Sequence, residues 1–200
     1  GDALRVRGGL ERLAKALHAT LRNTDVQLNT AITGLSVDGG AVQLSASDGR
    51  RIQGDAVIVA VPGPLFAGWN LPELPAELLS ALTRWPTWMA AQAKFVAVYE
   101  QPFWRDGGLS GSAISHRGPL MEIVDHSDDS AGSFALFGFV GIDAHSRRRL
   151  GADELRKRCL DQLRELFGNA ASAPISQHLM DWADEAFTAA PSDLVALGSH

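Results

Sequence analysis

The longest uninterrupted apolar run of the sequence lies between Asp55 and Pro62 and consists of Ala56-Val57-Ile58-Val59-Ala60-Val61. A strand with one face in water alternates apolar and polar residues, whereas this run is apolar at every position. The pattern therefore predicts a strand covered on both faces, central in an α/β sheet. Because ligands of such sheets lie at the carboxyl ends of strands, we expect the segment 60–64 to approach a ligand.

Other segments follow helical or strand periodicity. Leucines spaced between residues 10 and 21 predict an amphipathic helix, and the segments that flank Asp38-Gly39-Gly40 predict a β-hairpin. After Pro62 the proline content rises and a differently built region begins. We predict helices over 78–82 and 152–167, and strands over 26–28, 32–37, 41–46, 92–99, 110–115, 120–124, 134–140 and 178–182. The expected fold class is α/β (α+β).

Composition excludes several classes of function. The 200 residues are 46% hydrophobic and carry a formal net charge of −5, which argues against binding to nucleic acid or anionic membranes. No apolar run approaches the roughly 18 residues of a membrane span. The single cysteine, Cys159, permits no internal disulfide, and without a secretory signal we expect a cytoplasmic location. The histidines show no metal-ligand spacing, so no metal site is predicted.

A few residues are candidates for chemistry on their positions alone. Lys94 is the one charge in the alternating segment 92–99, so it either extends to solvent or is held for a reaction. Gly8 and Gly9 precede the first helix, where they either form a plain turn or let a ligand approach the backbone. The cluster Arg147-Arg148-Arg149 is expected to be a solvated loop, and Cys159 is expected to pack on the apolar face of its helix.

Several stretches, in order along the chain, resemble flavin-containing amine oxidases of the monoamine oxidase type. The block from Lys94 to Arg105, which ends in Pro102-Phe103-Trp104-Arg105, carries this resemblance most specifically. The other matching stretches are Arg5-Val6-Arg7-Gly8-Gly9 before the first helix, the apolar run that ends at Pro62, Gly108-Leu109-Ser110-Gly111, Phe137-Gly138-Phe139-Val140-Gly141 and Asp181-Trp182.

The resemblance implies FAD as the cofactor and a division of the chain into three segments. Residues 1–62 would belong to a Rossmann-like FAD-binding domain, residues 63–182 would form a mixed-sheet substrate domain backed by helices, and residues 183–200 would return toward the FAD-binding domain. The implied cofactor-binding residues are Gly8, Gly9, Ile32, Ala60, Val61, Pro62 and Trp182, with the Ile32 backbone at the adenine.

For the reaction, the resemblance implies a hydride transfer from the α-carbon of a neutral amine to the flavin, with O2 as acceptor and hydrogen peroxide as product. Lys94 matches the family lysine that holds a water beside flavin N5. Ile114 and Phe139 match residues that line the substrate cavity. Glu122 matches a cavity-facing position, where a carboxylate would attract a cationic amine.

Departures from the family keep other interpretations open. The family's dinucleotide fingerprint and its second FAD segment lie outside these residues, so we expect the central segment of a longer enzyme, inactive by itself. The first of the family's flavin-facing aromatics would fall at Ser192, which argues against aryl-alkyl monoamines. The alternatives are a carotenoid desaturase or protoporphyrinogen oxidase-like enzyme, or a non-catalytic binding or assembly module. A small-molecule amine is the expected partner, and a homodimer is compatible with the sequence.

Overall fold

A computed structural model describes Val6 and residues 8–194 of the chain. Within that part, helices and strands alternate in short segments. The helices are α1 Glu11–Thr20, α2 Gly63–Phe66, α3 Ala76–Arg84, α4 Phe103–Asp106, α5 Ala144–Leu150 and α6 Ala152–Phe167. The strands are β1 Ile32–Asp38, β2 Ala41–Ala46, β3 Arg51–Gly54, β4 Ala93–Tyr99, β5 Ala113–Ile114, β6 Leu120–Asp125, β7 Phe134–Val140 and β8 Ser176–Asp181.

The main core lies on one face of a five-stranded antiparallel sheet with the order β5-β6-β7-β4-β8. Strand β4 shows this difference between the faces: Ala93, Phe95, Ala97 and Tyr99 are buried on one side, and the residues between them are half-buried on the other. Helix α6 packs on the buried face. The alternation predicted over 92–99 is confirmed, and the side of the sheet that carries Lys94 is called the open face below.

Helix α6 fulfils the prediction made from its apolar spacing. Leu155, Cys159 and Leu163 recur every four residues, and all three are almost completely buried against the sheet. Gly151 and Gly168 bound the helix, both with a positive φ that favours glycine. Burial raises the pKa of the Cys159 thiol to about 12, so this cysteine stays a protonated packing residue.

A second, three-stranded antiparallel sheet with the order β1-β2-β3 contains the predicted hairpin. Gly39 and Gly40 form its turn with φ values of 58° and 87°, a conformation that suits glycine. Asn70 ties this sheet to the segment after α2, since its N–H donates to Thr33 and its carbonyl accepts from Leu35. The α+β class is thus confirmed. The described strand pairs of both sheets are all antiparallel, so the sheet within residues 63–182 is not the mixed sheet that the resemblance implies.

The prediction of a buried central strand between Asp55 and Pro62 is wrong for this structure. The segment is irregular, and Ile58 is 93% exposed. A strand covered on both faces needs a neighbour on each side and a layer above and below. None of the described strands pairs with this segment, so its side chains remain in contact with solvent.

The helix predicted from the leucine spacing is confirmed as α1, but none of its residues is buried, and Leu13 and Leu17 are each more than 60% exposed. Two strand predictions fail or shrink. Residues 26–28 form no strand, and the strand predicted over 110–115 is reduced to Ala113–Ile114. Local periodicity is present in each case, but the described part of the chain offers no surface that would cover it.

Candidate active site

Four of the residues singled out from the sequence lie in one row across the open face. Strand pairing places Ile114 opposite Glu122, Glu122 opposite Phe139, and Phe139 opposite Lys94. The row ends at Met180, which pairs with Lys94 from the other side. Directly opposed residues of antiparallel strands have side chains on the same face of the sheet. The sheet therefore brings together residues that are far apart in the chain, from Lys94 to Met180.

Lys94 lies next to the end of this row and has apolar neighbours on both sides. Its Nζ atom is 5.5 Å from the centroid of the Phe139 ring, and the Met180 side chain belongs to the next strand. The residue is half-buried and forms no ion pair within the described residues. An ammonium in such a place keeps free donors that can orient a water or a substrate atom.

Aromatic side chains continue the open face beside this row. Phe137 and Phe139 lie two residues apart on β7, and their rings are 4.8 Å apart in an edge-to-face arrangement. The His126 ring lies 5.5 Å from that of Phe137. Ile114 and Glu122 are exposed at the far end of the row. The face thus combines an apolar wall with one cation and one carboxylate.

Trp182 lies at the same end of the sheet as Lys94. It follows β8 directly, and its N–H donates to the carbonyl of Gln92, two residues before Lys94. Asp181 caps the short turn that begins at Trp182 by accepting a hydrogen bond from the N–H of Ala183. The backbone of Trp182 is therefore fixed relative to the strand that carries Lys94.

Arg147 anchors this end of the sheet, and the expectation of a solvated arginine loop is wrong for it. The three arginines lie in helix α5. Arg147 is 3% exposed and donates to Asp181 and to the carbonyls of Ile142 and Ala91. The sequence did contain a signal for this burial, because Arg147 lies three residues from Ala144 and three from Leu150, on the buried side of a short helix.

The block Pro102-Phe103-Trp104-Arg105, the most specific part of the resemblance, lies away from the open face and holds strand β6 in place. Trp104 is 1% exposed, and its Nε1 donates to Asp125 at the end of β6, as does the Arg105 guanidinium. Burial disfavours the Asp125 carboxylate, but hydrogen bonds from Ser127, Trp104 and Arg105 outweigh it and lower the pKa to about 2.

A separate groove gathers two of the predicted cofactor residues. Ile32 and Val61 both line a cavity of about 750 Å³. The other lining residues are Gln27, Leu28, Asn29, Thr30, Ala31, Leu65, Trp69, Ala186 and Phe187. This volume is typical of sites for small organic ligands. Ala60 and Pro62 flank Val61, whereas Gly8, Gly9 and Trp182 do not line the groove.

The glycine pair has a backbone that suits both interpretations made from the sequence. Gly8 and Gly9 have φ values of 77° and 88°, and Gly9 donates to the carbonyl of Val6 in a turn. A Cβ atom on Gly9 would meet open space, so its backbone is accessible. Arg5 and Arg7 of the same motif lie outside the described residues. The part of the chain that the structure describes contains no cluster of potential metal ligands and no helix able to span a bilayer.

Known proteins match nearly the whole of the chain. The sequence profile of the flavin-containing amine oxidoreductases matches residues 1–200. The chain belongs to this family. AofH of Mycobacterium tuberculosis, which carries the name of a flavin-containing monoamine oxidase, is 32% identical over 196 residues, or 98% of this chain and 42% of AofH. Putrescine oxidase of Kocuria rosea is 29% identical over 214 residues, or 98% of this chain and 45% of that enzyme.

A solved structure of a family member agrees with the fold described above. Putrescine oxidase with bound putrescine superposes with a TM-score of 0.77 at 26% identity, over 90% of this chain and 40% of that chain. The resemblance to amine oxidases is thus confirmed, and so is the fold class. The chain spans less than half the length of these relatives.

Proposed function

We propose that the protein containing this chain is an FAD-dependent amine oxidase, and that the open face of the five-stranded sheet is its substrate side. The observation that carries the proposal is the row of Glu122, Phe139 and Lys94 on that face, in a chain of the flavin-containing amine oxidoreductase family. When bound, FAD supplies a hydride acceptor for the α-carbon of the amine and a route to O2, so that an imine and hydrogen peroxide are the products.

The residues of the chain fit one end of this cofactor. The groove lined by Ile32 and Val61 is wide, and mainly apolar side chains surround it, which suits the adenosine part. Ala60 and Pro62 would shape the wall beside Val61, and the accessible glycine backbone at Gly8 and Gly9 would let the phosphates approach the chain closely. Phe187, which also lines the groove, comes five residues after Trp182, so one short segment joins the groove to the end of the sheet that carries Lys94.

Lys94 would hold a water at the reacting end of the substrate side. Its strand neighbours on this face, Phe139 and Met180, are apolar, so neither of them competes for the donors of the ammonium. A fixed positive charge next to the atom that receives the hydride would stabilise the negative charge that develops there. Trp182, whose backbone is joined to Gln92, would form the adjacent wall of the flavin pocket.

Glu122 would bind the distal cationic group of the substrate. It lies two strands from Lys94, which corresponds to about 10 Å at the spacing of neighbouring strands. An amine whose second ammonium contacts Glu122 would extend across Phe139 toward Lys94, with Ile114 at the entrance. A short linear diamine has suitable length and charge, and putrescine is the substrate named for two of the relatives.

The domain division proposed with this function follows the two sheets. Residues 1–62 would include the smaller sheet and the groove segment, and residues 63–182 would include the five-stranded sheet. Of the last proposed segment, 183–200, the structure describes residues 183–194, and Ala186 and Phe187 of this part line the groove. We expect the isolated chain to be inactive, because its relatives are more than twice as long.

The experiment that tests the function is the visible absorption spectrum of the full-length protein, recorded before and after amines are added without oxygen. We expect a flavin band that bleaches with diamines and returns with air as hydrogen peroxide forms. A flavin band that no amine bleaches would favour the desaturase-type or protoporphyrinogen oxidase-like alternatives. A protein without flavin would instead be a binding or assembly module of the same fold.

A further inference from the structure

Gln162 of helix α6 is a polar side chain inside the main core. It is 5% exposed, and its neighbours on the same helix face, Cys159 and Leu163, are apolar. Its amide reaches the beginning of strand β6 on the far side of the helix–sheet interface. The Oε1 atom accepts from the N–H of Leu120 at 2.8 Å, and Nε2 donates to the carbonyls of Leu120 at 2.8 Å and Arg117 at 2.7 Å.

Strand β6 carries an extra residue immediately after this attachment. Leu120 pairs with Val140, but Glu122 pairs with Phe139, so two steps on β6 correspond to one step on β7. Met121 is the additional residue, and the irregularity is a β-bulge. Without it, the register set by Leu120 would place Met121 opposite Phe139 and would turn Glu122 toward the core.

Two sets of contacts hold strand β6, and the pairing registers that they impose differ by one residue, which explains the bulge. The apolar and half-buried residues of β6, above all Ile123 opposite Gly138, fix the register of the strand toward Asp125. Gln162 fixes Leu120 through both its N–H and its carbonyl, as a neighbouring strand would. Between these two contacts β6 has one residue more than β7. The extra residue, Met121, forms the bulge, and Glu122 therefore faces the open side.

Gly118 makes this attachment possible from the loop side. Its φ is +82°, and a Cβ atom there would lie 2.5 Å from Oε1 of Gln162. Any larger residue would therefore displace the Gln162 amide or strain the loop. The amide and the glycine act as one device, which we call the Gln162 clamp.

We propose that Gln162 is a specificity-positioning residue, which directs the Glu122 carboxylate onto the substrate side by holding the β6 bulge from the opposite face of the sheet. The inference rests on the proposed function, because it assigns Glu122 the distal cationic group of the substrate. Gln162 touches neither substrate nor cofactor, so its effect appears in the choice between substrates.

The test compares Gln162→Leu with the unmodified full-length flavoprotein, using n-butylamine and its α,ω-diamine counterpart. We expect kcat/KM for the diamine to fall by roughly 10-fold or more relative to the monoamine, as when one charge-assisted hydrogen bond is lost. In a Glu122→Gln background the same change should leave that ratio unaltered, because the carboxylate that it positions is absent.

Two comparisons separate positioning from general loosening of the core. Leu163→Ala is the matched control, since Leu163 is also buried on α6 and makes no hydrogen bond to β6. This variant should lower thermal stability and leave unchanged the ratio of kcat/KM for the diamine to kcat/KM for the monoamine. Gly118→Ala disturbs the Gln162 clamp from the loop and should lower the ratio of kcat/KM for the diamine to that for the monoamine, as Gln162→Leu does. Either variant can therefore test the inference if the other folds poorly.

A crystal structure of the variant tests the positioning role without any measurement of enzyme activity. A crystal structure of the Gln162→Leu protein should show the Leu120–Val140 pairing lost and Glu122 displaced from Phe139. Retention of both pairings, or an active variant with an unchanged substrate ratio, would overturn the inference and leave the proposed oxidase intact. If the unmodified protein oxidises no amine, the proposed function itself fails, and a role of Gln162 in amine specificity fails with it.

Discussion

Arg147 and Asp181 form a two-point ion pair at the junction of helix α5 and strand β8. Nε and Nη2 of the arginine each lie 2.6 Å from one carboxylate oxygen of the aspartate. The arginine side chain is 2% exposed and that of the aspartate 18%. The next residue, Arg148, also pairs with an aspartate, Asp184, but both of those side chains are about half exposed. Neighbouring arginines thus offer a direct comparison of a buried pair with a solvated one.

Arg147→Met should lower the free energy of unfolding by about 3–5 kcal/mol, because it removes the charged partner of the Asp181 carboxylate and a donor to two carbonyls. The matched control Arg148→Met should cost at most about 1 kcal/mol, as exposed pairs do. Urea unfolding followed by circular dichroism measures both values. Equal losses in the two variants would show that burial of the Arg147 pair adds nothing.

Asp125→Asn should make stability less dependent on pH in the acid range. The folded-state pKa of Asp125 is lowered to about 2, and an unfolded aspartate titrates near about 3.9. Ionised Asp125 therefore stabilises the fold above about pH 4, and the contribution of roughly 1–2 kcal/mol disappears as the pH falls toward about 2. The difference in unfolding free energy between Asp125→Asn and the unmodified protein should be present at neutral pH and should decrease toward zero between about pH 4 and about pH 2.

The control for that series is Asp153→Asn. Asp153 has a fully exposed side chain that pairs with Arg156 on the surface of α6, so the substitution should change stability by less than about 0.5 kcal/mol throughout. A difference for Asp125→Asn that stays constant from neutral pH to about pH 2 would contradict the assigned role of the carboxylate.

Lys94→Met should slow amine-dependent turnover of the full-length flavoprotein by about 10²–10³-fold, the cost of removing one fixed charge-stabilising group from an active site. Stopped-flow absorbance measures flavin reduction by the amine and reoxidation by O2 as separate steps. Lys157→Met, which removes an exposed lysine from α6, is the control and should leave both rates unchanged. Unaltered kinetics in Lys94→Met would remove this lysine from the reaction.

Glu122→Gln should raise KM for diamines by roughly 10- to 100-fold while kcat/KM for the monoamine of equal length stays within about twofold, because only the diamine loses a charged partner. Steady-state peroxide release measures both substrates. An equal fall in kcat/KM for both amines would mean that Glu122 supports the sheet and does not contact the distal cation.

Some features of this protein follow from the sequence without any tertiary information. The alternation of residues 92–99 predicts strand β4 and assigns Lys94 to the face away from Phe95, and the four-residue spacing of Leu155, Cys159 and Leu163 predicts α6 with its buried side. The glycines after Asp38 predict the hairpin. Each of these is a local pattern, in which neighbouring residues suffice to specify the backbone and the buried face.

The tertiary structure decided what depends on distant partners. Pairing register joins Ile114, Glu122, Phe139 and Lys94 in one row, and no local pattern specifies which residues of separate strands face each other. The same limit explains the opposite outcomes of two segments. The run after Asp55 has the stronger apolar pattern, but no described strand lies beside it. Arg147 resembles a surface residue in the sequence, but it is buried because Asp181 pairs with its charge and two carbonyls accept its hydrogen bonds. Burial is a property of the surroundings, and only the folded chain supplies those.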